Sequence, residues 1–572
     1  MSRQTESSIA LRQTRFWPRV KIGGLLGYTA IWAFFSIFLI YPLIRLFYDA
    51  FTTDEGAFTL MNFYQFFTDS YYLKALMNSL LLGGATVVTT SIIGIAIAYL
   101  LLRYEFPGRN LFSFLSIIPM IMPPLVGVMG FVFIMGRAGT VNVILMDYFG
   151  FTKPLNFMYG IHGILLVETL HLFPLMTLSI VDALGKIDLS LDEAAESVGS
   201  RGLRKFWDIT LPLTTPGYVS GALLVFIWTF ADFATPLVVG IDDLIASQAY
   251  LNIVQFVDRR LFKMGIVISA IMVMLAIVFL IIAKQYVAIK DYSSLSYSKV
   301  ERKKISSWGR VMVIIFLAVV LIFAFIPYVG IALDSFGKGW ALTPIPVKYT
   351  LQYFERVAIE TPKFIINSLL FSGISVLICI LVGVPVAWVM GRTKLPGRDL
   401  LDSLTTLILA LPGTGIGIAY LRAFRDPLPF MDTALIGMWI VIPLVLGVRR
   451  LPYTVRGTFA SLLLVHKSIE EAAESVGAGK AKTFKDVVVP LIWKGILVGA
   501  LYSFILALQE ASATLLLVIP GHEMMTVGIF NFYIGGSVNE AAALGLILII
   551  LGALCLWAIN KIAGSRMGGV FG

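Results

Sequence analysis

Twelve stretches of this sequence are apolar over about the length that crosses a bilayer, and no other feature restricts the fold so severely. They fall near residues 24–48, 77–102, 111–135, 159–183, 217–240, 264–285, 310–334, 366–390, 400–421, 434–460, 496–519 and 540–561. About 20 such residues span the ~30 Å hydrocarbon layer as a helix. A helix is the expected form because lipid offers no partner to an open backbone amide. The chain is 58% hydrophobic and 14% charged, whereas soluble domains run near a quarter charged. The predicted fold is therefore an all-α integral membrane protein with about twelve transmembrane helices.

Charge orients the spans. With residues 1–23 read as a cytoplasmic tail (Arg12, Arg15, Arg19 and Lys21 precede a run too long for a signal-peptide core), 31 of the 44 Lys and Arg residues fall on the inner side. That excess follows the positive-inside rule and predicts that both termini are cytoplasmic. It also accounts for the net charge of +10 without nucleic acid. The polar stretch Val287–Gly309 reads as a cytoplasmic linker. Cys379 and Cys555 lie inside apolar runs, and His162, His171, His466 and His522 are scattered. Neither a disulfide framework nor a metal cluster is predicted, and no residue pattern asks for a cofactor.

The chain repeats itself. Asn78-Ser-Leu-Leu returns 289 residues later as Asn367-Ser-Leu-Leu, and Gly94, Ala98, Arg103, Pro107-Gly-Arg109 and Pro123 return as Gly383, Ala387, Arg392, Pro396-Gly-Arg398 and Pro412. Further on the offset becomes 278. SLDEAAESVG at 190–199 faces SIEEAAESVG at 468–477, and Pro212 and Gly217 face Pro490 and Gly495. Six spans per repeat is an even number, so both halves enter the membrane from the same side and the repeats are parallel. The expected layout is a first half at 24–286 (core about 73–283), the linker at 287–309, and a second half at 310–572 (core about 362–560).

The repeated loop is polar, so shared apolar composition does not explain it. Ser190-x-x-Glu193 and Ser468-x-x-Glu471 read as capping boxes, each starting a short helix that stops at Gly199 or Gly477. Leu191, Ala194, Ala195 and Val198 form one apolar stripe, which Ile469, Ala472, Ala473 and Val476 repeat. Two near-identical copies suggest a partner that is itself two-fold.

EAAESVGSRGLRKFWDITLPLTTPG and EAAESVGAGKAKTFKDVVVPLIWKG resemble the EAA loop of type I ABC-importer permeases, and the resemblance extends over both halves. It implies that fold, a coupling helix in each loop (190–217 and 468–495), and docking of an ATP-binding subunit, two copies being expected. It carries over Glu193, Gly199, Glu471 and Gly477, with Ser190, Ala194, Ala195, Ser468, Ala472 and Ala473 around them. Val487-Val488-Val489-Pro490 departs from the family pattern Ile-x-Leu-Pro in losing the leucine. Gly477-Ala-Gly-Lys480 is followed by Ala481, so it lacks the hydroxyl a phosphate-binding loop requires. The ATPase is expected on another chain, and the chain itself is expected not to be an enzyme.

Two further pairs mark a candidate path. Asp232 and Glu510 stand at the 278 offset inside the fifth and eleventh runs, where carboxylates are costly. They read either as acidic groups on a cation path or gate, or as hydrogen-bonded carboxylates that fix packing. Pro119, Pro123 and Pro124 face Pro412, Gly413 and Gly415, an interruption at matching places in both halves. Glu168, His171 and Asp182 have no acidic counterparts and read as interfacial or structural. Fusion of both halves resembles the ferric-iron branch of the family, in which an extracytoplasmic protein holds the metal. Relatives that handle thiamine, phosphonates or sugar phosphates keep those substrates open. A secondary transporter would also show twelve spans, but would have no use for duplicated EAA loops.

Overall fold

The computed structural model describes residues 22–185, 187, 195, 197, 199–200, 202–255, 257–289, 302–340, 343–429 and 431–563. Most of the expected tail, linker residues 290–301, and Ser190, Glu193 and Ala194 lie outside the described residues.

Among the described residues, ten helices are long and apolar enough to span. They are α1 (Leu26–Ala50), α2 (Ser70–Arg103), α3 (Pro124–Met135, continued to Phe149), α4 (Ile161–Gly185), α5 (Leu211–Ala231, preceded by a π turn), α6 (Arg259–Ile289), α7 (Ser307–Phe336), α8 (Lys363–Arg392), α13 (Val489–Leu508, also preceded by a π turn) and α14 (Val538–Ala563). An eleventh is a broken pair, α9 (Arg398–Ala410) and α10 (Gly413–Ala423), bent by 109°. The remaining expected span is α11 (Val441–Leu463). It is long enough, but Arg449, Arg450 and Arg456 lower its apolar character.

Repeated residues hold equivalent contacts. Gly94 lets α2 approach Met176 and Thr177 of α4, and Gly383 lets α8 approach Leu451, Thr454 and Val455 of α11. The Asn-Ser pair near the start of α2 and of α8 ties down the loop that follows the fifth span of its half. Asn78 donates to the Asp243 carbonyl at 3.2 Å and Ser79 accepts from the Ile245 amide at 2.8 Å. Asn367 donates to Gly521 and Glu523 at 3.1 Å, and Ser368 accepts from Met525 at 2.7 Å. The π turns recur at the 278 offset, Phe206–Thr210 and Phe484–Val488.

The first helix of each half crosses to the other half. α1 packs on α10, with Tyr420 donating to the Phe38 carbonyl at 2.6 Å and Arg422 pairing with Asp49 at 2.5 Å. α7 packs on α3 at a glycine crossing so close that a Cβ on Gly130 would sit 2.2 Å from the Pro327 carbonyl oxygen. Each half is thus clasped by the other.

Four of the expected spans are broken in matching pairs. The run 111–135 divides into a short helix at Arg109–Leu115, a 3-10 turn at Ile118–Ile121, and α3. The run 400–421 divides at Leu411–Pro412. Pro123 (φ −57°, ψ 136°) and Pro412 (φ −57°, ψ 139°) adopt the same extended conformation just before the next helix. Proline lacks the amide that would continue the ladder and pushes its predecessor out of the helical region. The runs 217–240 and 496–519 break at Asp232 and Glu510, after which short helices resume at Ala234–Val239 and Ser512–Leu516.

Candidate translocation cavity and coupling loops

The broken spans converge. Between the two halves lies a cavity of about 140 Å³, lined by Glu168, His171 and Asp232 of the first half and by Arg449, Arg450 and Glu510 of the second. Pro124, Trp228 and Gly413 complete part of its wall. Each carboxylate at a break replaces backbone hydrogen bonds that the interrupted helix has lost. Asp232 accepts from the amides of Ala234 at 3.0 Å and Thr235 at 3.2 Å. Glu510 accepts from Ala513 at 3.2 Å. In hydrocarbon these replacements allow the break to exist at all.

The two acids differ in their surroundings. Glu510 is buried between Arg449, at 2.9 Å, and Arg450, which it also contacts directly. Its charge is matched twice. Asp232 instead lines the cavity together with Glu168, to which Thr229 donates at 3.5 Å. At the 278 offset His171 takes the place of Arg449, and its Nδ1 lies 3.2 Å from the Pro119 carbonyl. The lining is therefore acidic on the first-half side, with an arginine pair around one acid on the second.

Reading the sequence alone missed Arg449 and Arg450, which it counted with the cytoplasmic basic residues. They are buried beside Glu510 because an intramembrane carboxylate draws its counter-charges inward. Adjacent arginines within an apolar run were the available signal. Glu168 and His171, read as interfacial or structural, line the cavity. Pro123 and Pro412 stand at the breaks but do not line the cavity themselves; the residues that follow them, Pro124 and Gly413, do.

The carbonyls freed at the first-half break are also answered. Tyr328 of α7 donates to Ile118 at 2.8 Å, and Gln509, next to Glu510, donates to Ile121. Both donors belong to the second half, so the break is part of the seam between halves.

The second loop helix is α12 (Lys467–Ser475). It ends as expected. Gly477 has φ +92°, Gly477 N donates to Glu474 at 3.0 Å, and Ala478 N donates to Ala473 at 3.1 Å, the paired bonds of a Schellman stop. The first copy shows the corresponding outer bond, Ser200 N to Ala195 at 2.9 Å, with Gly199 at φ +85°. The start differs from expectation. His466 precedes the first helical residue, so Ser468 lies inside the first turn, with its hydroxyl 3.4 Å from His466 Nδ1. No capping box forms there, because the helix begins one residue before Ser468. Glu471 is exposed, and the neighbouring Glu470 makes the strong contact, at 2.6 Å from Arg392 Nε. Ala472, Ile469 and Val476 are exposed and Ala473 half-buried, whereas Ala195 is buried.

Parallel repeats of membrane helices, each first helix exchanged between halves and both halves closing on one polar cavity, define a multi-pass membrane permease. Residues 90–294 and 383–569 match the family described as binding-protein-dependent transport system inner membrane component. The chain belongs to that family. It is a multi-pass subunit of the inner membrane, works with a binding protein, and leaves ATP hydrolysis to a separate subunit. Among curated proteins it is 28% identical over 549 residues to the ferric transport system permease protein FbpB of Actinobacillus pleuropneumoniae, covering 95% of this chain and 78% of that one. It is 28% identical over 487 residues to the putative ferric transport system permease protein FbpB 1 of Haemophilus influenzae, covering 84% and 76%. The molybdenum transport system permease protein ModB of Escherichia coli is 34% identical over 166 residues, 29% of this chain and 70% of that one.

Proposed function

We propose that this chain is the permease of a ferric-iron importer, with residues 24–286 and 310–572 as its two halves and 287–309 as a cytoplasmic linker. Both termini face the cytoplasm. Two copies of an ATP-binding subunit dock on the loops at 190–217 and 468–495. In that docking, Ser190, Glu193, Ala194, Ala195 and Gly199 of the first loop correspond to Ser468, Glu471, Ala472, Ala473 and Gly477 of the second. Closure of the ATPases then turns the two loops together and reorients the helices around the cavity.

The observation that carries the coupling reading is α12 itself. It is a cytoplasmic helix with a defined stop whose apolar residues face outward, Val476 being 85% and the adjoining Leu464 87% exposed. An apolar stripe left in water at a polar loop is the mark of an interaction surface. Iron as cargo is supported by the two ferric permeases, which match most of this chain. Asp232 and Glu510, with Pro123 and Pro412, border the path. Glu510, doubly paired, keeps the second-half break in shape, while the acids of the first half are left to face a cation.

Reconstitution tests this. Proteoliposomes containing the permease, its ATPase and its binding protein should import ferric iron only with ATP and binding protein present. Uptake of molybdate, thiamine or a phosphonate in place of iron, under the same requirement, would retain the coupling reading and reject the cargo.

A further inference from the structure

The two halves differ at the joint between the start of the sixth span and the short helix before the second. In the second half, the turns at Gln352–Glu355 and Arg356–Glu360 pack on α14. Arg356 meets Glu540, in the first turn of α14, at 2.6 Å. A carboxylate at a helix start also suits the helix dipole. In the first half, the helix Met61–Thr68 likewise packs on α6. It carries no charged residue, and α6 has no acid in its first turn. Arg259, Arg260 and Lys263 stand at the start of α6 instead, against the dipole. Where the second half closes this joint with an ion pair, the first half has cations alone.

That joint is open. A cavity of about 420 Å³ lies in it, with Arg259, Arg260 and Lys263 on one wall and Asn62 and Gln65 on the other. The neighbouring acids are committed elsewhere. Asp258 accepts from the amides of Arg260 at 2.8 Å and Leu261 at 3.3 Å. Asp49 pairs with Arg45 at 3.3 Å and with Arg422 at 2.5 Å. Asp54 is the one acid on the cavity wall. Among the described residues, Arg259, Arg260 and Lys263 form no ion pair with it or with any other carboxylate. Two hydroxyls add to the donors. Thr53 and Thr59, also on the wall, accept from the amides of Ala57 at 3.2 Å and Met61 at 3.0 Å, so each keeps its proton to donate. A cleft lined by one sign of charge concentrates counter-ions, and guanidiniums make their strongest hydrogen bonds to anionic oxygens.

We propose that this cavity binds a small, soluble, multivalent oxyanion of the phosphate or polycarboxylate class, held by Arg259, Arg260 and Lys263. The anion closes the first-half joint as the Arg356–Glu540 pair closes the second. Its volume admits such an anion together with bound water. The site is separate from the cavity between the halves, with which it shares no lining residue. It needs no assignment of either end of the molecule to a side of the membrane.

Purified full-length permease in detergent is titrated calorimetrically with potassium phosphate or potassium citrate, against potassium chloride at equal ionic strength. Wild type should bind phosphate and citrate in competition and melt at a higher temperature with either. Each hydrogen bond to a charged group contributes about ten-fold in affinity. R259Q/R260Q/K263Q should therefore lose measurable phosphate binding. If that variant fails to fold, R260E serves alone. It gives α6 the first-turn acid that α14 has, so it should fold and still bind phosphate at least about ten-fold more weakly. R356Q, which breaks the second-half pair, is the control. It should lower the melting temperature and leave phosphate affinity unchanged. Wild-type affinity in both cavity variants overturns the site, as does an equal loss in R356Q. An equal response to chloride reduces the effect to ionic strength and overturns it as well. Tighter binding of phosphatidylglycerol than of citrate, or phosphate binding only with the binding protein present, overturns the assignment to a soluble anion.

Discussion

Arg392, the last residue of α8, places its Nε 2.6 Å from Glu470 of α12 and also donates to the carbonyls of Leu462 and Val465. One buried guanidinium thereby joins a membrane helix, the end of α11 and the loop helix on which the ATPase is proposed to act. Any push on α12 reaches α8 through it. Arg392→Ala should leave Glu470 without its partner, a loss of roughly 3–5 kcal/mol for a buried pair. The expected outcome is at least ten-fold lower ATP-driven uptake, with substrate-stimulated ATPase activity uncoupled from transport. Arg392→Lys, which keeps one bond, should recover part of it. Normal coupling in the alanine variant would remove Arg392 from the path of transmission.

Gly477 and Gly199 test the helix stop separately from its surroundings. Their φ values are +92° and +85°, and a Cβ at either position would meet nothing within 4 Å. Only backbone conformation is at stake. Valine at both positions should cost about 1–2 kcal/mol at each stop and lower uptake while the protein still inserts. Asparagine tolerates the left-handed region and should preserve most activity. If both pairs of variants transport normally, the stop is not needed for coupling. If both fail alike, the side chain rather than the conformation is responsible.

How much of this was legible depended on the range of the interaction. The Schellman stops were, because a glycine after an apolar stripe is a local signal. The repeat was, and its residues proved to hold equivalent contacts, Gly94 with Gly383 and Asn78 with Asn367. The start of α12 was not, since Ser468 and Glu471 fit a capping box two residues beyond the residue that actually precedes the helix, His466. Pro123 and Pro412 announced an interruption without showing that the chain would break rather than kink. Arg449 and Arg450 were hidden for another reason. Their burial depends on Glu510, some 60 residues further along, and hydropathy within a window does not see a counter-charge supplied by another helix.

The glycine crossing of α3 and α7 makes a packing prediction. A Cβ on Gly130 would meet the Pro327 carbonyl at 2.2 Å, and one on Gly330 would meet the Gly130 carbonyl at 2.3 Å. Both obstacles are backbone, so neither rotates away. Gly130→Ala should cost about 1–3 kcal/mol through forced separation of the helices, read as a lower melting temperature in detergent. Gly373→Ala, where a Cβ meets nothing within 4 Å, should leave it unchanged. Equal stability of the two variants would show that the halves are not clasped at this point.

The last prediction separates the two acids that the repeat equates. Glu510→Gln removes the charge matched by Arg449 and Arg450 and leaves two buried guanidiniums uncompensated. An unpaired buried charge is among the costliest defects a fold sustains, so protein abundance should fall, and a further Arg450→Met or Arg449→Met change should restore part of it. Asp232→Asn has a different consequence. The amide oxygen still accepts from Ala234 and Thr235, so the break survives and abundance should stay near normal. If the first-half acids face the cargo, uptake by Asp232→Asn should nonetheless drop, with binding protein and ATPase association intact, and Glu168→Gln should behave in the same way. Uptake and abundance are measured on the same membranes, so the two effects separate cleanly. Normal transport by the Asp232→Asn/Glu168→Gln double variant would make both carboxyls structural and leave the cavity without an acidic role in transport.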